Sequence, residues 1–334
     1  MVKRKLLDRP SRRNPSRTRE DLTQPYTVYT DKPNARIEML EPGLVGFQDT
    51  NVVLHSHVPQ SQYTEHVGPL TLVFVNKGNE ACDIDGRRFV IDESFYLIHN
   101  LGQRVSYVAD KETRVESCVI GFWPGFAEEV LRSLTTPVDK LLDSPRESLN
   151  QPVQFFNQLY PHDSILSPAL FRLRSALETG FVTHGWLEEH NHLLLERMLH
   201  VHRNVRLEVE AVPALRASTR AEIYQRLHQA RDFMEANLDR PITITDIAAA
   251  AWFSPHHFLR MFKQVFKETP HQYLIRRRMD RAQRLLTQSD LSITGVCFAV
   301  GFESLGSFSW LFRQRVGQSP ENFRKLHRSP ASLR

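Results

Sequence analysis

His256, His257, Arg260, Lys263 and Gln264 fall within one short stretch, WFSPHHFLRMFKQVFKETP, at spacings that gather them on one side of a helix. With Phe258 at the origin of a helical wheel, Met261, Phe262 and Val265 take the opposite side, which is the pattern of a helix buried along one face. Imidazole, guanidinium and carboxamide groups on the free face suit the edges of bases in a DNA major groove, and an ammonium group suits phosphate oxygens. The chemistry expected here is recognition of a polyanion: His256, His257, Arg260 and Gln264 as base contacts and Lys263 as a phosphate contact.

The chain writes this segment twice. GFESLGSFSWLFRQRVGQSP, residues 301 to 320, aligns with it so that Phe253 meets Phe302, Phe258 meets Phe308, Phe262 meets Phe312 and Pro270 meets Pro320. Each copy follows a short run of small residues (ITDIAAAA, ITGVCFAV) that lets two helices cross closely, so the expectation is two helix-turn-helix motifs, 244–266 and 293–316. Ser254 and Pro255 are placed to start the second helix of the first copy, and Gly301 to turn the chain in the second. The copies differ where contact is expected. Trp310 stands where the first has Arg260, and Leu305, Gly306 and Ser307 precede it. Ser307 and Trp310 are the base-contact candidates there, through apolar contact with thymine methyl groups, and Arg313 and Arg315 the phosphate contacts. The first copy should read sequence and the second mainly position the protein. HQYLIRRRMDRAQRLLTQSD between them reads as a linker helix with Tyr273, Leu274, Met279, Ala282, Leu285 and Leu286 inward, and with Arg276 and Arg278 as further phosphate contacts. It would hold the two motifs in successive major grooves, about 34 Å apart.

The elements around these motifs follow from composition. With 334 residues, 41% apolar and 24% charged, the chain is long enough for two domains. The net charge is +5, and lysine and arginine outnumber acids chiefly after residue 256, which makes the C-terminal third the expected polyanion-binding part. No apolar run reaches the roughly 18 residues of a membrane-spanning helix, and the N-terminus lacks the apolar stretch of a signal peptide, so a cytoplasmic protein is expected. Cys82, Cys118 and Cys297 are widely spaced among apolar neighbours and suit reduced, buried thiols. Residues 1–25, rich in Arg, Pro and Ser, are expected to be a disordered basic tail. Over 26–123 short β-branched and aromatic runs alternate with turn signals, as in a small sandwich or barrel. Residues 124–207 carry helical periodicity with enough apolar surface for a dimer seam, 208–220 form a linker, and 221–329 the DNA-binding domain. The fold expected is multidomain α and β: an N-terminal β-sandwich or barrel with flanking helices and a C-terminal all-α domain.

Several of these motifs, in order, carry a family resemblance. The first helix-turn-helix, Pro-x-x-Tyr-Leu, Arg-Ala-x-x-Leu-Leu, and the closing Gly-Phe-x-Ser to Gly-x-Ser-Pro-x-x-Phe-Arg stretch resemble the AraC/XylS transcription regulators over about the last hundred residues. The N-terminal part resembles such proteins in architecture, as a cupin-like β domain followed by helices. The resemblance implies a sequence-specific DNA-binding regulator, acting as a homodimer, an activator that contacts RNA polymerase, with a small-molecule effector in the N-terminal domain. One departure is Trp252, where the family often has glycine.

The competing chemistry is in the β-rich part. HSHVPQSQYTEH presents His55 and His57 at a spacing of two, as cupin metal sites do, which would make the chain a cupin-type metalloenzyme with a nucleic-acid-binding C-terminal domain. Glu65 follows at too long a spacing, after Pro59, so no metal, no cofactor and no catalytic residue is expected, and the chain is not read as an enzyme. His55, His57, Tyr63 and Phe74 remain as candidate effector-binding residues.

Overall fold

In a computed structural model, the described residues are 26–33, 38–40, 44–46, 49–56, 62–109, 115–137, 139 and 152–327. The expected tail, 1–25, and His57 lie outside them. Backbone contacts divide the chain into two units, the first holding described residues up to Arg87 and Ile91–Val205, the second Arg88–Val90 and the residues from Arg206 onward.

The alternating runs of the first unit form antiparallel strands: β1 (Tyr26–Thr30), β2 (Glu38–Leu40), β3 (Leu44–Gly46), β4 (Val52–Ser56), β5 (Gln62–Val67), β6 (Leu70–Lys77), β7 (Glu80–Ile84), β8 (Arg87–Ile91), β9 (Phe95–His99), β10 (Arg104–Ala109), β11 (Glu116–Phe122) and β12 (Leu159–Pro161). They build one sheet in the order β1-β4-β11-β6-β9-β12, a second in the order β5-β10-β7-β8, and the hairpin β2-β3. Asp85 and Gly86, both at positive φ, join β7 to β8, as the left-handed geometry of a two-residue hairpin turn requires. After β11 come α1 (Phe126–Thr135), α2 (Ser167–Thr179) and α3 (His184–Glu210).

Strand register sorts the effector candidates. Phe74, Cys118 and His55 lie in one row across β6, β11 and β4, with Tyr96 of β9 beside Phe74. Thr71 and His99 belong to the opposite face of that sheet, and His99 meets Tyr107 of the second sheet, ring centroids 6.3 Å apart. Phe74 and His55 therefore point away from the second sheet. Phe74 is 1% exposed and His55 2%, so both are packed. Tyr63 lies on β5.

Between the sheets sits an unusual carboxyl. Glu80 of β7 is 2% exposed, and burial, only partly offset by a hydrogen bond with Ser117, raises its pKa from 4.5 to about 7. The folded state thus binds a proton that the unfolded chain releases. Stability should be full below about pH 4.5, fall as pH rises to about 7, and level off above. Glu80→Gln should remove that slope: the gain in melting temperature over the parent should be larger at pH 8 than at pH 5. Equal differences at the two pH values would contradict this.

The second unit is helical. The α3 helix continues through Glu210, and α4 (Ala217–Glu235) begins six residues later, so only 211–216 separate the two helices. Then follow α5 (Ile244–Ala250), α6 (Pro255–Phe266), α7 (Pro270–Gln288), α8 (Ile293–Ala299), α9 (Leu305–Val316) and α10 (Pro320–His327). Met279, Ala282 and Leu286 of α7 pack with Val296, Cys297, Phe308, Phe312 and Phe323 in one cluster. Burial of Cys297 raises its thiol pKa, as burial does for Cys82 and Cys118, and all three thiols are free.

Candidate nucleic-acid interface

The repeated segments fold the same way down to single hydrogen bonds. In the first, the Phe253 N–H donates to the Ala248 carbonyl at 2.9 Å; in the second, Phe302 donates to Cys297 at 3.1 Å. The residue before each phenylalanine is left-handed: Trp252 at φ 57° and Gly301 at φ 75°. The glycine that Trp252 replaces is thus explained by backbone geometry, and a tryptophan that is 78% exposed occupies the strained position. Both α6 and α9 have twelve residues, and Phe258, Phe262, Phe308 and Phe312 are fully buried. Ser254 occupies the N-cap of α6 without a side-chain capping bond, whereas Ser304 accepts from the Ser307 N–H at 3.4 Å. Thr269 and Ser319 then cap the next helix of each copy, accepting from Gln272 and Asn322.

This scaffold leaves His256, Arg260, Lys263 and Gln264 exposed together on α6. His257 is half-buried with its ring edge against Phe253, centroids 5.3 Å apart, so its ring helps hold the turn. On α9, Ser307, Trp310, Arg313 and Arg315 are exposed, Trp310 by 66%. Position for position, Lys263 corresponds to Arg313 and Arg260 to Trp310. Gln264 has a counterpart missed in the sequence: Gln314, also exposed. Carrying the repeat alignment two residues past Phe312 would have found it.

The three successive arginines of α7 have three different environments. Arg278 does not fit the expected phosphate contact. It is 8% exposed and donates to the carbonyls of Leu238 at 3.0 Å and Arg240 at 2.7 Å, where burial lowers its pKa. It therefore braces the turn that follows α4 from within. Arg277 is buried and donates twice to Glu235, at 2.7 and 3.0 Å, and Tyr273 donates to the same carboxylate. Arg276 alone is exposed, and its charge is already met by Glu268 at 2.7 Å and Asp280 at 3.8 Å. Of the five side chains expected to contact phosphate, Lys263, Arg313 and Arg315 are exposed without an ion-pair partner among the described residues.

Among the described residues no group of three or more His, Cys, Asp or Glu side chains could hold a metal ion, and no helix is long and apolar enough to cross a membrane.

Comparison with known proteins defines the class: a helix-turn-helix domain family matches residues 247–326. The chain is 32% identical over 92 residues to the probable transcriptional regulator LumQ of Photobacterium leiognathi, covering 28% of this chain and 37% of that protein. It is 38% identical over 111 residues to the transcriptional activator NphR of Rhodococcus sp, covering 30% and 32%. A crystal structure of a Chromobacterium violaceum transcriptional regulator, described as AraC-type, is 33% identical, covers 31% of this chain and 94% of that one, and has a TM-score of 0.30. The chain spans about a third of the length of the curated relatives it matches. The likeness is to transcriptional regulators and lies in the C-terminal part, where residues 247–326 form a helix-turn-helix domain.

Proposed function

We propose that the chain is a cytoplasmic, sequence-specific DNA-binding regulator whose two repeated segments are both helix-turn-helix motifs with unequal roles. The α6 helix reads bases through His256, Arg260 and Gln264, with His257 at the margin. The α9 helix holds phosphate through Arg313 and Arg315 and offers Ser307, Trp310 and Gln314 to the groove. The supporting observation is the pair of matched helices with the same phenylalanines inward and different chemistry outward. An arginine in the first can pair bidentately with guanine, and a tryptophan in its place cannot. The N-terminal unit, read as cupin-like, senses a small molecule, and homodimerisation through the helical extension, residues 124–207, sets the spacing of the two DNA-binding domains. The name of the Rhodococcus relative, a transcriptional activator, favours activation, and contact with RNA polymerase is the route proposed for it here.

Arg260→Ala is the direct test. It should weaken binding to the selected site by about 1 to 3 kcal/mol and flatten the preference at one base pair, with little loss on random DNA. Equal weakening on selected and random DNA would make Arg260 a phosphate clamp and overturn its assignment as a reader.

A further inference from the structure

Between α2 and α3 of the first unit lies a cavity of about 240 Å3, lined by Arg172 of α2 and Arg197 of α3 together with Ser164, Ile165, Pro168 and Leu193. Among the described residues neither guanidinium is ion-paired, although Arg174, two positions on, is paired with Glu178 at 2.7 Å. Arg172 is exposed and Arg197 half-buried, so water screens part of the repulsion between the two like charges, and an anion between them would relieve the rest. Asp163, next to the lining residue Ser164 in the chain, does not supply it. Asp163 accepts from the backbone N–H groups of Ile165 and Leu166 and from the Tyr96 hydroxyl. His190, bonded to the Ala169 carbonyl on the same helix pair, brings no further charge: burial chiefly, and Arg172 in part, lower its pKa to about 4.

Guanidinium forks match carboxylate geometry, and the rest of the wall is apolar apart from Ser164. The volume is below the roughly 300 to 1,000 Å3 of sites for drug-sized ligands, which limits the occupant to a small molecule. We propose that this cavity binds a small organic monocarboxylate, its carboxylate bridging Arg172 and Arg197 and its short apolar body against Ile165, Pro168 and Leu193. The assignment deepens the effector reading and rests on it for its regulatory meaning: the effector site lies between two helices, and neither His55 nor Phe74 is among its lining residues.

Calorimetric titration of the full chain without DNA tests the site apart from the regulatory reading. Phenylacetate and hexanoate should bind saturably, and hexanamide and inorganic phosphate at least about tenfold more weakly. Arg172→Met and Arg197→Met should each weaken phenylacetate about tenfold or more, while Arg172→Lys, which keeps the charge and loses the fork, should fall between. Hexanamide or phosphate binding as tightly as the carboxylates would overturn the proposal, as would phenylacetate binding unchanged in all three variants or absent from the parent. A dimer that dissociates in Arg172→Met and is indifferent to phenylacetate would also overturn it, by giving the cavity to a second copy. Operator affinity is measured last: intact phenylacetate binding with no change in affinity for DNA would leave the site standing and remove its effector role.

Discussion

Arg277→Ala should lower the stability of the C-terminal unit by about 3 to 5 kcal/mol, the usual consequence of removing one partner from a buried ion pair. The Glu235 carboxylate, 5% exposed, would keep only the neutral Tyr273 hydroxyl as a hydrogen-bond donor and lose its bidentate cation. The loss should exceed that of any exposed arginine on α6 or α9, because those side chains have water as an alternative partner. The double variant Glu235→Leu with Arg277→Met should recover most of the stability, since two apolar side chains of similar size need no charge compensation. Denaturant unfolding of the three proteins decides the matter. A double variant no more stable than Arg277→Ala would mean that the helix pair depends on shape at this point and that charge pairing is secondary.

The second large effect is expected at Gly301. A Cβ built there lies 2.4 Å from the Leu238 carbonyl oxygen and 2.7 Å from Arg278 Nη2, and the backbone is at φ 75°. Gly301→Ala therefore has to displace both the turn after α4 and the arginine that holds it, in addition to the left-handed strain, for a cost of about 2 to 4 kcal/mol. Trp252 supplies the contrast. It holds the equivalent backbone position at φ 57° with its side chain in the open, so a side chain by itself is tolerated at this turn. Gly301→Ala unfolding at the parental denaturant midpoint would show that the close approach to Arg278 is not structurally required.

These two sites show where reading the sequence stops. The aromatic core of the repeats was legible, because Phe258, Phe262, Phe308 and Phe312 recur at helical spacing in two alignable segments, and so were the exposed polar positions between them. The roles of Arg276, Arg277 and Arg278 were not. Which of three adjacent guanidiniums finds a buried carboxylate depends on Glu235, and which finds carbonyls depends on Leu238 and Arg240, all about 40 residues earlier in the chain. Strand periodicity placed Phe74 and His55 within a sheet, but a period of two does not say which face meets the second sheet; the partner strands decide that. The three-residue edge strand β12 is too short to carry a pattern at all. The sequence pattern predicts a linker from residue 208, whereas the helix runs to Glu210, because exposed polar residues at a helix end look like a linker in sequence.

The measurement that bears most directly on the unequal roles of the two motifs is a saturating base-substitution scan across one monomer's DNA footprint, with every variant site measured at the same salt concentration. Arg260, His256 and Gln264 on α6 should make about half of the footprint steeply selective, each wrong base costing about 1 to 3 kcal/mol. One helical turn away, beneath Trp310 and Gly306, preference should be shallow and favour thymine, with Gln314 accounting for at most one sharper position. Equal selectivity in the two halves, or a steeper response beneath α9, would contradict the assignment of reading to the first motif and positioning to the second.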